Sequence, residues 1–181
     1  MRIPIIGLRG TGLGRAHSST GRKHMSAIIR PERIARLFQD LLERKVAVSP
    51  IQAFPLSPEG SLLTASYATN DGSVAALCIC DLELVLNAGA ALCMIPVYEA
   101  QQSCKAKQWD GSLVENFKEI LNVCAQLFCE GSIRAKLENV FCGAAERPAK
   151  IAPLLAKPGR RIDIQVSING YANGRMAILT P

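Results

Sequence analysis

"VENFKEILNVCAQLF", residues 114–128, sets apolar side chains at Val114, Phe117, Leu121, Cys124 and Phe128, in steps of three and four, with Ile120 and Leu127 widening the stripe. A repeat near 3.6 residues gathers such side chains on one side of an α-helix. The spacing predicts an amphipathic helix over 114–128, ending near Gly131, with one face in a core. Glu115, Glu119, Asn122 and Gln126 follow at steps of four, three and four and form a polar row on the other face. A solvated surface looks like this, and so does a docking or catalytic face.

The segments on either side say what the helix packs on. Upstream, "PERIARLFQDLLER" (31–44) has Pro31 at a helix start, Glu32 in the first turn, and Ile34, Leu37, Phe38, Leu41 and Leu42 on one side. "VAVSPIQAF" (46–54), "SLLTASYAT" (61–69) and "SVAALCICD" (73–81) read as strands, with "NDG" at 70–72 as the hairpin turn between the last two. Pro50 marks the first as an edge strand or a bulged one. Asp81 is placed to cap a helix over 82–95, which Pro96 stops, and Ala88, Gly89 and Ala91 leave room for a close neighbour. Residues 97–111 fit a short helix or a loop, and Asp110 fits a helix cap. Trp109 fits a lid on the core or an interface. Downstream come a strand at 133–142, a loop or helical turn at 148–157, and a closing hairpin from "RIDIQVSING" and "GRMAILT". No internal repeat is visible. The expectation is an α+β fold with helices on a mostly antiparallel sheet and the 114–128 helix at the surface.

Of 181 residues, about half are apolar, enough for one core. The net charge of +6 is concentrated at the start: Arg2, Arg9, Arg15, Arg22 and Lys23 precede Met25 with no acidic residue among them. Removing those five from 21 basic residues leaves 16 against 15 acidic ones, which is not the footprint of a nucleic-acid binder. Residues 1–24 therefore read as a disordered basic leader, an organelle presequence or a mis-assigned start, and 25–181 as a single domain. No window has the run of about 18 apolar residues that would span a membrane. The seven cysteines lack a C-x-x-C pair and sit in apolar segments, the pattern of reduced, buried thiols in a cytoplasmic protein. His17 and His24 are the only histidines and both lie in the leader, which sets aside Ser-His-Asp and Cys-His chemistry and histidine metal sites for the rest of the chain.

An amide and carboxylate row supports a narrower chemistry: the amide holds a water and aims it at a phosphorus atom, while the carboxylate pairs with a cation on the partner. Glu119-x-x-Asn122, with Glu115 four residues before it, resembles the D/S-x-x-x-E-x-x-N signature of the chemotaxis phosphatases CheC, CheX and FliY. The order of elements over 25–181, with a single motif, resembles CheX most. Glu83 and Asn87 are four apart and do not form a second motif.

The resemblance implies a CheX-like fold and a phosphatase acting on the aspartyl phosphate of a CheY-like receiver domain. Asn122 would orient the attacking water and Glu119 would contact the receiver's lysine, with Glu115, Lys118 and Gln126 on the partner surface. It implies no cofactor in this chain, since Mg2+ would come with the receiver. Two features depart from the family: Glu115 replaces the usual Asp or Ser, and the glycines around the motif are replaced, so that Phe117 and Lys118 are expected to add bulk there. The alternative is a non-catalytic module of the same fold that docks a regulator or motor-switch partner. A homodimer is also expected, through an open sheet edge on the terminal hairpin.

Overall fold

A computed structural model describes residues 29–56, 61–143 and 147–181. Residues 1–24, read above as a basic leader, lie outside the described residues. Proline at the first helical position starts α1 (Pro31–Leu42), which buries Ile34, Leu37, Phe38 and Leu42 and ends where Glu43 turns left-handed. β1 (Val46–Pro50) follows, with Pro50 at its last position on an edge of the sheet. β2 (Leu62–Thr69) and β3 (Val74–Asp81) form the expected hairpin, and Gly72 takes the positive φ of +82° in its turn. Asp71 braces that turn, accepting hydrogen bonds from the Thr69 hydroxyl and the Ser73 amide, which bring its pKa down to about 2.

Asp81 caps α2 (Leu82–Leu92) by accepting from the Leu84 amide at 2.9 Å. The helix was expected to reach Ile95 and stop at Pro96, but it ends earlier. Ile95 N–H donates to Ala90 O, and Met94 N–H to Ala91 O, a Schellman closure with Met94 in the left-handed place that glycine usually fills. Pro96 instead opens α3 (Val97–Ala106). α4 (Gly111–Cys124) is the helix of the polar row. β4 (Ala135–Cys142), α5 (Ala152–Ala156), β5 (Arg160–Ile168) and β6 (Gly174–Thr180) complete the chain.

Among the described residues, six strands form one sheet in the order β1-β5-β6-β3-β2-β4, every neighbour antiparallel. Exchanging β1, β2 and β3 for β4, β5 and β6 returns the same order read backwards. The topology thus has a two-fold pattern, with α1 before β1 matching α4 before β4, although no repeat is visible in the sequence. The terminal hairpin is interior: β5 lies between β1 and β6, and β6 between β5 and β3. The open edge expected there does not exist, because β1 pairs with β5 instead of joining β2; the sheet's edges are β1 and β4.

Helices α1, α2 and α4 cover one face, over a core that includes Leu63, Tyr67, Cys78, Cys80, Ile164, Val166 and Met176. The short α5, with Ile151 just before it, covers part of the other face around Leu62, Leu77, Ile79 and Leu179. Trp109 is half-buried and packs against the helical core.

Candidate functional site

The polar row depends on how α4 is held. Asp110 Oδ1 accepts from the Ser112 and Leu113 amides and the Ser112 hydroxyl, fixing the first turn; those bonds hold the Asp110 carboxyl below its ordinary pKa. Leu113, Val114, Phe117, Ile120, Leu121 and Cys124 are buried against α2 and the sheet. Gly89 of α2 allows the close approach: a Cβ there would stand 2.1 Å from Leu113 O. Asn116 reinforces the contact, its Nδ2 donating to Gly89 O at 3.3 Å.

The α-helix was expected to run through 128. It ends at Cys124, and residues Ala125–Phe128 tighten into a 3-10 turn. The cause lies on the sheet: buried Tyr67 donates its hydroxyl to Leu121 O at 2.9 Å, and Ala125 N–H bonds three residues back to Asn122 O. The ring of Phe128 then packs 4.6 Å from that of Tyr67. Burial keeps the Tyr67 phenol well above its usual pKa, with smaller contributions from Cys78, Cys124 and Cys80. Burial also raises the thiols of Cys78 and Cys80, and pushes Cys124 up to about 12.

Glu115, Glu119 and Asn122 are all exposed on α4. Lys118 Nζ is 2.6 Å from Glu115 Oε1, a surface pair one turn apart. Asn122 Nδ2 is 3.5 Å from Glu119 Oε2, so carboxylate and carboxamide stand side by side facing solvent. Gln126 is exposed but belongs to the 3-10 turn, outside the α-helical row. Phe117 is bulkier than the family's motif glycines, but its spacing puts it on the core face. It is fully buried, because it falls on the core side of the stripe; of the two bulky residues only Lys118 reaches the surface.

Asn87 is also fully buried, donating to Glu83 O and accepting from Ala172 N–H, and so fastens α2 to the β5–β6 turn. Sequence reasoning missed Arg33, whose Nη2 donates to Gln126 O at 2.8 Å and brings α1 against the end of the row. The two residues are 93 apart in the chain; the three-residue spacing of Arg30, Arg33 and Arg36 was the available signal.

The arrangement can hold a water on the Asn122 carboxamide and a partner's cation on Glu119. The fold is of the CheC/CheX/FliY type, an α+β fold shared with the FliM middle domain and FliY. FliM from H. pylori, solved in complex with FliG, superposes with a TM-score of 0.58 at 9% identity, covering 83% of this chain and 86% of that one. FliY from Thermotoga maritima gives a TM-score of 0.53 at 11% identity, over 81% of each chain. CheX from Borrelia burgdorferi, in a CheX–CheY–BeF3–Mg complex, gives 0.45 at 13% identity, over 83% and 97%. No family model and no curated protein matches the sequence. Among the described residues, no helix is long and apolar enough to cross a membrane.

Proposed function

We propose that this protein docks a phosphorylated receiver domain on α4 and hydrolyses its aspartyl phosphate. The observation that supports this most is the exposed Glu119–Asn122 pair, set one turn apart with Phe117 turned into the core. With Nδ2 directed at Glu119, the Asn122 Oδ1 is the atom that accepts a hydrogen bond from water. The water oxygen attacks phosphorus in line, the bond from phosphorus to the aspartyl oxygen breaks, the receiver regains its carboxylate, and inorganic phosphate leaves with the oxygen and protons of the water. Phosphoryl transfer of this kind depends on position more than on a strong base, which suits an amide. Glu119 pairs with a lysine of the receiver and fixes the two surfaces in register. The Mg2+ that the reaction uses would be supplied by the receiver.

A second reading is favoured by the overlap with FliM, which has been solved in complexes with FliG and with SpeE. In that reading the same face binds a partner and does no chemistry. One assay separates the two. Candidate receivers from the same organism are phosphorylated with a small-molecule donor, the donor is removed, and phosphate decay is followed with and without this protein. Accelerated decay that Asn122→Ala reduces by about 10²-fold, with binding retained, is the expected result. Glu119→Ala should weaken binding and turnover together. Unchanged decay on every receiver that binds makes the face a docking surface only, and no binding at all returns the row to solvated helix.

A further inference from the structure

Arg30, Arg33 and Arg36 follow one another at three-residue steps at the start of α1, and all three are exposed. Such a step puts Arg33 and Arg36 on neighbouring positions of one helix flank, and Arg30 sits just ahead of them as the extended residue before Pro31. Glu32 is the acidic residue of that first turn, and among the described residues none of the three arginines enters an ion pair. Together with Pro31 and Glu32 they line an open cavity of about 660 Å³.

This basic flank is joined to the polar row of α4. The bond from Arg33 to Gln126 O places it beside the turn that follows the end of α4 at Cys124, two residues beyond Asn122. The two surfaces differ in charge. On α4, Glu115 is matched by Lys118, and Glu119 enters none of the described ion pairs. At the start of α1, the guanidiniums of Arg30, Arg33 and Arg36 face the one carboxylate of the first turn, Glu32, and Asp40 lies further along the helix. A partner seated across both must bring a cation to Glu119 and anionic groups to α1. Guanidiniums suit the second task, because their planar forks bind carboxylates and phosphates in pairs.

We propose that Arg30, Arg33 and Arg36 form the basic flank of the docking face and take the acidic surface around the phosphorylated aspartate of a receiver. The inference rests on the docking reading above and adds the charge that selects the partner. An arginine at the rim of such a face acts mainly on encounter and on salt dependence.

The test uses the full chain and receiver domains held in the phosphorylated-like state with beryllofluoride, so that docking is read apart from turnover. Arg30→Glu with Arg36→Glu is the main variant, since Arg33 also secures the Gln126 carbonyl. Affinity at low salt should fall by about 10-fold or more, with a shallower salt dependence. The matching double Lys variant should retain most of the affinity. If the Glu variant does not fold, Arg30→Gln with Arg36→Gln replaces it, with a smaller loss expected. Unaltered affinity at both low and high salt, while Glu119→Ala still weakens binding, removes α1 from the face and leaves the docking reading standing. Failure of the unaltered protein to bind any receiver sinks the docking reading and this inference with it. Binding that the arginine variants lose to a nucleic acid but not to a receiver assigns the flank to another partner and overturns the proposal.

Discussion

At the scale of single residues, the most informative position is Met94. It holds φ of +53° at the end of α2 with its side chain 76% exposed, so it has the strain of the left-handed region and little packing in return. A non-glycine residue in that region costs roughly 1 kcal/mol. Met94→Gly should therefore stabilise the protein by about 0.5–1 kcal/mol, read as a rise of a few degrees in Tm by thermal denaturation. A fall in Tm would mean that the exposed thioether makes contacts that outweigh the strain. Residues whose job is local were legible in the sequence: Asp81 and Asp110 cap their helices, and Gly72 makes the hairpin turn. Met94 was not, because a left-handed methionine leaves no mark that distinguishes it from any other.

Among the elements, the α2–α4 pair positions the candidate site, and two glycines test how. Gly89 has no room: a Cβ there meets Leu113 O at 2.1 Å, and that atom is backbone. Gly111, at the first turn of α4, has nothing within 4 Å of the same added atom. Alanine favours a helix over glycine by about 1 kcal/mol, so intrinsic propensity alone would make both substitutions stabilising. Gly111→Ala should be neutral or slightly stabilising. Gly89→Ala should cost about 1–3 kcal/mol in chemical denaturation, since the helices must separate, and it should shift the Glu119–Asn122 face relative to the sheet. Equal effects of the two substitutions would show that the close approach is not a constraint. The small residues of α2 announced a near neighbour, and α4 is that neighbour. The end of α4 was hidden for a different reason: the hydroxyl that takes Leu121 O comes from Tyr67, 54 residues away. Periodicity reports which face is buried, not which carbonyl a distant side chain will occupy.

For the whole molecule, the same limit applies to topology. The strands were readable as apolar runs bounded by turns, but the interleaving of β1 beside β5 and β4 beside β2 was not, since nothing local names a strand's partner. The outcome is a sheet whose centre is formed by β6 and β3 and roofed by α1, α2 and α4. Cys78 and Cys80 on β3 and Cys124 on α4 are fully buried under that roof, whereas Cys93 at the end of α2 is exposed. Thiolate is the reactive form, and burial raises the pKa of all three buried thiols, so at neutral or mildly alkaline pH they are both protonated and shielded. A small alkylating reagent at pH 8 should label Cys93 within the time expected of an open thiol. Cys78, Cys80 and Cys124 should be labelled only as the central sheet opens, all three with one rate constant equal to that of global unfolding, and together on adding denaturant. The measurement is pulsed alkylation followed by mass spectrometry of the peptides. Early labelling of Cys124 ahead of Cys78 and Cys80 would show instead that α4 detaches from the sheet by itself, and that the surface carrying Glu119 and Asn122 is a separately opening unit.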